Sequence, residues 1–205
     1  LRDGRVLLPL AGPDPSLKPV DFPRGRIKLA VLAFARADKR KSRVIEIDPT
    51  AKVSPLADIE DSVRGTKIVI GPNAMVDAFV KIKPAGGMGD VVIGADSHVN
   101  SGCVLFTGNG ITIGRNVLIA SNCTFAPTNH EYKRADLLIR EQRFKPSRGG
   151  IVIEDDVWIA ANCVILDGSV IRQGAVVGAG SLVRGELAGY TVYAGNPLRE
   201  INRRR

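Results

Sequence analysis

The chain has 205 residues, 44% of them hydrophobic and 5% aromatic, and a formal net charge of +8. This is enough apolar content for the core of one ordinary domain, and few aromatics for a protein that holds nucleic acid by base stacking. There is also no apolar run of the roughly 18 residues that a membrane-spanning helix needs, so the composition points to one soluble-type core and no nucleic-acid partner.

Residues 1–46 carry most of the charge excess, with eleven Lys/Arg against five Asp/Glu. Pro9, Pro13, Pro15, Pro19 and Pro23 interrupt any long element there. Only 27–37 (IKLAVLAFARA) has room for a short helix or strand, ahead of the basic run 39–43. We read 1–46 as a basic N-terminal arm, either solvated or set against an acidic neighbour or an anionic membrane surface, a peripheral membrane contact. The first residue is leucine, so a leader ahead of it stays open.

From Ile47 an aliphatic or aromatic residue returns every six positions, at Ile47, Val53, Ile59; Ile70, Val76, Ile82; Ile93, Val99, Leu105; and Ile113, Ile119, Phe125. The pattern then runs without a break through Ile153, Ile159, Ile165, Ile171, Val177 and Val183. Four positions after each of these six comes Val157, Cys163, Ser169, Ala175, Ser181 or Leu187, mostly small. A period of six is neither helical nor a plain alternating strand; it is the pattern of a hexapeptide-repeat parallel β-helix. Side chains alternate along each short strand, so the repeated residue and the one two before it point inward. Three hexads make a coil of about 18 residues, and coils stack about 4.8 Å apart. The expected fold is all-β, a single-stranded parallel β-helix of about six coils over 47–188. Val91, Leu118, Val164 and Leu182 are expected to face outward and to need cover.

The frame breaks after Ile59, Ile82, Leu105 and Phe125, each the third hexad of its coil, so the insertions leave from one corner of the prism. Insertions gathered on one side of a solenoid mark its binding side. Three are short and hold Gly65, Gly86, Gly87, Gly89 and Gly108, which suit tight turns. The fourth, at 131–150, is long, with six Lys/Arg against three Asp/Glu; loops of this length are functional or disordered. After Val183 the pattern decays, and 189–205 reads as a C-terminal tail. Cys103, Cys123 and Cys163 match no zinc spacing. All three fall at the small inward position, as stacked core thiols, and reduced thiols suit a cytoplasmic location.

The segments IGRNVLIASNCTFAPTNH (113–130), GGIVIEDDVWIAANCVILDGSVI (149–171), VVGAGSLV (176–183) and YAGNPLREI (193–201) resemble the hexapeptide-repeat acyltransferases. Within them, the galactoside/maltose and polysaccharide O-acetyltransferases are most similar. The resemblance implies a left-handed β-helix, a homotrimer with sites between neighbouring prisms, and acetyl-CoA-dependent transfer to a saccharide hydroxyl. Parallel crossovers are otherwise almost always right-handed, so the handedness rests on the resemblance alone.

The resemblance also assigns residues. His130 matches the catalytic histidine, and a near-neutral imidazole suits a general base for a weakly nucleophilic hydroxyl. Asn100 matches a residue that positions the acceptor or holds the oxyanion. Trp158 matches a tryptophan beside acetyl-CoA. Ala160, Ala161, Ala179 and Gly180 match small residues along the pantetheine groove. Arg199 matches a basic residue at the nucleotide phosphates. A further lysine of the family falls on Gly185, with Arg184 next to it as the substitute. Glu131, Asp136 and Glu141 are candidates to orient His130, and the sequence does not choose among them. His98 matches no catalytic position and reads as a surface or interface residue. No metal is expected: a zinc-dependent carbonic anhydrase of this fold needs three histidines, and the chain has two. The rival readings are N-acetylation of an amino sugar or other amine, and a non-catalytic binding module. The net positive loop favours an anionic acceptor.

Overall fold

The structure is a computed structural model and describes residues 45–62 and 64–205. All but the last two residues of the expected N-terminal arm thus lie outside the described residues. The rest is a left-handed β-helix with three flat faces. The first face stacks seven strands, from Ile45–Ile47 to Glu186–Leu187, and the third stacks six, from Asp58–Ile59 to Leu182–Val183. The second face stacks seven parallel strands, from Lys52–Val53 to Thr191–Ala194, and closes with Arg199–Arg203 lying antiparallel. Six coils are complete. A seventh continues through 186–194, beyond the point where the sequence pattern decays, because its strands still pair in parallel with those below.

The inward frame holds through the body of the prism. Ile70, Val76, Ile82, Ile93, Val99, Leu105, Ile113, Ile119, Phe125, Ile153, Ile159, Ile165, Ile171, Val177 and Val183 are at most 1% exposed. Each such side chain contributes roughly 1.5–3 kcal/mol relative to exposure, so the coil is held by its core rather than by its turns. Two expectations are corrected. Val91 is fully buried, because it stands two residues before Ile93 in the same strand and shares its inward side. Ile47 pairs in register with buried Ile70 yet is 45% exposed, since the first coil is covered on one side only. Leu118 does face outward, 52% exposed, while Val164 and Leu182 are half-buried.

In the six complete coils the first and second corners are four-residue turns, and above the first coil each holds a left-handed residue. From the second to the sixth coil these are Asn73, Asp96, Asn116, Asp156 and Gly174 at the first corner, and Phe79, Gly102, Asn122, Asn162 and Gly180 at the second; Asn, Asp and Gly adopt that conformation at least cost, and Phe79 is the exception. The buried thiols of Cys103, Cys123 and Cys163 close the second corner as its last residues, with Sγ 3.2 Å from the carbonyl oxygens of Ala120, Ala160 and Gly178 respectively. The third corner varies, and all the insertions leave from it. Among the described residues no helix is long and apolar enough to cross a membrane.

Candidate active site

The longest insertion begins with a short hairpin. The Lys145 amide donates to Asn129 O (2.8 Å) and the Glu131 amide to Arg143 O (2.9 Å). This pairing sets His130 opposite Phe144, with ring centroids 4.6 Å apart and planes tilted by 39°. His130 is exposed at the third corner, its ring steadied on one side and open on the other. At the tip lies the single helical turn α1, Ile139–Gln142, whose first residue Ile139 and the preceding Leu138 are exposed.

The three candidate carboxylates are engaged elsewhere. Glu131 Oε1 accepts the amides of Tyr132 (2.8 Å) and Lys133 (3.1 Å), and the Tyr132 amide holds this carboxyl below its usual range. Asp136 pairs with Arg134, which likewise lowers its pKa. Glu141 accepts the Leu138 amide, 3.3 Å away. The aromatic contact with Phe144, rather than a carboxylate, is what positions His130.

Asn100 sits on the second corner. Its Nδ2 donates to Ile119 O (2.8 Å), which also accepts the Asn100 backbone amide (3.0 Å). A carboxamide nitrogen carries two hydrogens, so one remains for a ligand. Next to it are two residues whose pairing the sequence did not signal. His98 Nε2 lies 3.2 Å from Asp77 Oδ1, both side chains partly buried. The register Met75↔His98 and Val76↔Val99 puts Asp77 beside Asn100 on successive coils. The only clue was the equal offset of Asp77 and Asn100 from the inward Val76 and Val99.

Above Asn100 the second face and corner carry most of the expected donor residues. Trp158 is 50% exposed, stacked in register between Leu118 and Val176. Ala160 and Ala161 are half-buried, Ala179 and Gly180 exposed. A side chain built on Gly180 would meet nothing within 4 Å. The strip ends at Arg199, which pairs with Ala194, itself against Gly178. Four small residues thus stack at the second corner of consecutive coils, with Trp158 on the adjoining face and Arg199 at the end of the stack. Arg184 does not join them. It follows the third-face strand Leu182–Val183 and stands at the third corner, beside the loop. His130 and Asn100 are likewise apart: Asn100 precedes the third face and His130 follows it. Among the described residues no three His, Cys, Asp or Glu are grouped to hold a metal ion.

Residues 150–185 match the family described as bacterial transferase hexapeptide (six repeats). WbbJ of Escherichia coli (strain K12), assigned to lipopolysaccharide biosynthesis as an O-acetyl transferase, is 31% identical over 144 residues, 68% of this chain and 70% of its own length. Among solved structures, a variant of AntD is similar with a TM-score of 0.67 at 27% identity, covering 79% of this chain and 84% of that one. AntD is an N-acyltransferase from Bacillus cereus, there in complex with dTDP-4-amino-4,6-dideoxyglucose and coenzyme A. A hexapeptide-repeat acetyltransferase from Vibrio cholerae, complexed with acetyl coenzyme A, is similar with a TM-score of 0.56 at 31% identity, covering 66% of this chain and 70% of that one.

Proposed function

The chain belongs to the hexapeptide-repeat acyltransferases, and on that premise we propose that it transfers the acetyl group of acetyl-CoA to a hydroxyl of a saccharide. The observation that carries this reading is His130, an exposed imidazole fixed by Phe144 at the mouth of the long loop. His130 takes the proton of the acceptor hydroxyl as its oxygen attacks the thioester carbonyl carbon. The free N–H of Asn100 Nδ2 holds the oxyanion that forms. As the tetrahedral intermediate collapses, the C–S bond breaks and His130 returns the proton to the leaving thiolate. Donor binding falls to the band from Trp158 through Ala160, Ala161, Ala179 and Gly180 to Arg199; Arg184 is left to the third corner.

Because His130 and Asn100 lie at opposite ends of the third face, a site using both takes one from each of two neighbouring copies. This supports a homotrimer, as do the exposed Leu118 and Trp158 on the second face and Leu138 and Ile139 on the loop tip, apolar groups that need cover. In this reading 47–188 is the catalytic domain, 1–46 an arm and 189–205 a tail. A second reading, acylation of an amino sugar, is favoured by the likeness to AntD with its bound amino-sugar nucleotide. Coenzyme A release measured over a panel of hydroxyl and amino sugars tests both. Turnover confined to amines overturns O-transfer, and no turnover with any sugar overturns the enzyme reading.

A further inference from the structure

A recess of about 230 Å³ lies at the third corner, walled by Asn129, Tyr132, Lys145, Arg148, Asp167 and Arg184. Four parts of the chain meet there: both ends of the loop and the corners of the last two complete coils. Asp167, 3% exposed, is committed to the fold. Its carboxylate accepts the amides of Arg148 (2.9 Å) and Gly150 (3.1 Å) and Asn109 Nδ2 (3.3 Å). Glu131 is turned back on its own following amides. Among the described residues, Lys145, Arg148 and Arg184 form no ion pair with any carboxylate. Lys145 instead lies over the Tyr132 ring, 3.9 Å from its centroid.

Arg148 is anchored at its base although its head is exposed. The Arg148 amide is pinned to Asp167, and its stem lies against Gly168, where a Cβ would come 2.7 Å from Arg148 Cβ. Two guanidinium forks and an ammonium facing one recess repel each other until an anion joins them, and a phosphate has the oxygens to engage all three. We propose that this recess binds a phosphate or diphosphate group carried by one of the reactants, with Tyr132, 63% exposed, as a flat wall for the ring attached to it. The identity of that reactant rests on the transferase reading, because a sugar nucleotide and coenzyme A both carry a diphosphate; the anion site itself does not.

Calorimetric titration of the full chain with inorganic pyrophosphate at low salt tests the site. The wild type binds, and added salt weakens the binding. Lys145→Gln and Arg148→Gln each weaken it at least about tenfold, and the double variant abolishes it while keeping the wild-type circular dichroism and urea midpoint. No binding by the wild type, or equal binding by the double variant, overturns the proposal. Titrations with UDP and with coenzyme A then name the source. Loss of UDP binding with coenzyme A affinity intact assigns the recess to the acceptor, and a matching loss of coenzyme A affinity assigns it to the donor. Pyrophosphate binding in a protein that turns over no sugar would sink the transferase reading and leave the anion site standing.

Discussion

Mixing two inactive variants measures whether the site is shared between copies. Asn100→Ala and His130→Ala each remove a side chain the core does not need: His130 is exposed, and Ile119 O keeps the Asn100 backbone amide as its donor. On the proposed roles, loss of His130 as base should lower the rate on the order of 10²–10⁴-fold, and loss of Asn100 as oxyanion donor on the order of 10²–10³-fold. In the proposed cyclic trimer each interface would join one copy's Asn100 to the next copy's His130. Equal amounts of the two variants, dissociated and reassembled together, therefore give an intact interface about one time in four, so about a quarter of wild-type activity returns. A site within one chain returns none. Wild type mixed equally with the double variant discriminates from the other side: about one quarter for a shared site against about one half for a site within one chain. The assay is thiol release at saturating substrates, with subunit exchange checked by a tag on one variant. No recovery in the first mixture and one half in the second would refute the shared site.

The fold yields three further expectations. A Cβ on Gly94 would sit 2.5 Å from the Gly114 carbonyl carbon, against ladder backbone that cannot yield, so Gly94→Ala should cost on the order of 1–3 kcal/mol in urea unfolding; an unchanged midpoint would show that the coil spacing is softer than argued. Arg172, between Glu154 and Glu186 (2.6 and 2.7 Å), holds the Glu154 carboxyl below its ordinary 4.5. The folded state thus binds fewer protons there than the unfolded one. This contribution is complete above about pH 4.5 and fades as pH falls through the lowered value, and Arg172→Gln should flatten the acid limb of a stability–pH profile. The three buried thiols should resist an aromatic disulfide reagent in the native state and react together on unfolding. Cys123 is pushed up to about 11, chiefly by Cys103, and Cys163 is raised as well, by Cys123 and by burial; Cys103 is lowered by its contact with Cys123, so its protection rests on its burial. Rapid labelling of the folded protein at neutral pH would contradict this.

Most of the coil was legible because one rule, an inward residue every six positions, acts on every strand alike. Val91 shows where the rule was applied too narrowly: the second inward position of a strand belongs to the core as firmly as the first. Ile47 shows what a repeat does not carry, since burial at an end depends on what lies beyond it. The site was legible only in part. Resemblance assigned His130, Asn100 and the Trp158–Gly180 band, and these stand exposed or half-buried on the outer surface, but their grouping follows from which corner each occupies. The His98–Asp77 pair joins residues 21 apart through the stacking of two coils. The Lys145–Arg148–Arg184 recess joins a loop to a corner two coils further on. The engagement of Glu131, Asp136 and Glu141 depends on the path of a hairpin that has no period to read.

The unequal corners divide what this chain can change from what it cannot. Between consecutive strands the second corner spans four residues in every coil, and the first does so in all but the last, while the third spans as few as two and, at 127–150, twenty-four. A turn lengthened at either fixed corner would displace every inward side chain above it. A segment added at the third corner enters and leaves at the same height, and the stack above does not register it. The molecule therefore has one socket, repeated at each level, into which new segments fit without rethreading the core. Under the proposed assignment, acceptor preference can diverge there by exchange of a single loop, while the residues proposed for the donor at the second corner, bound to the spacing of the coils, stay as they are.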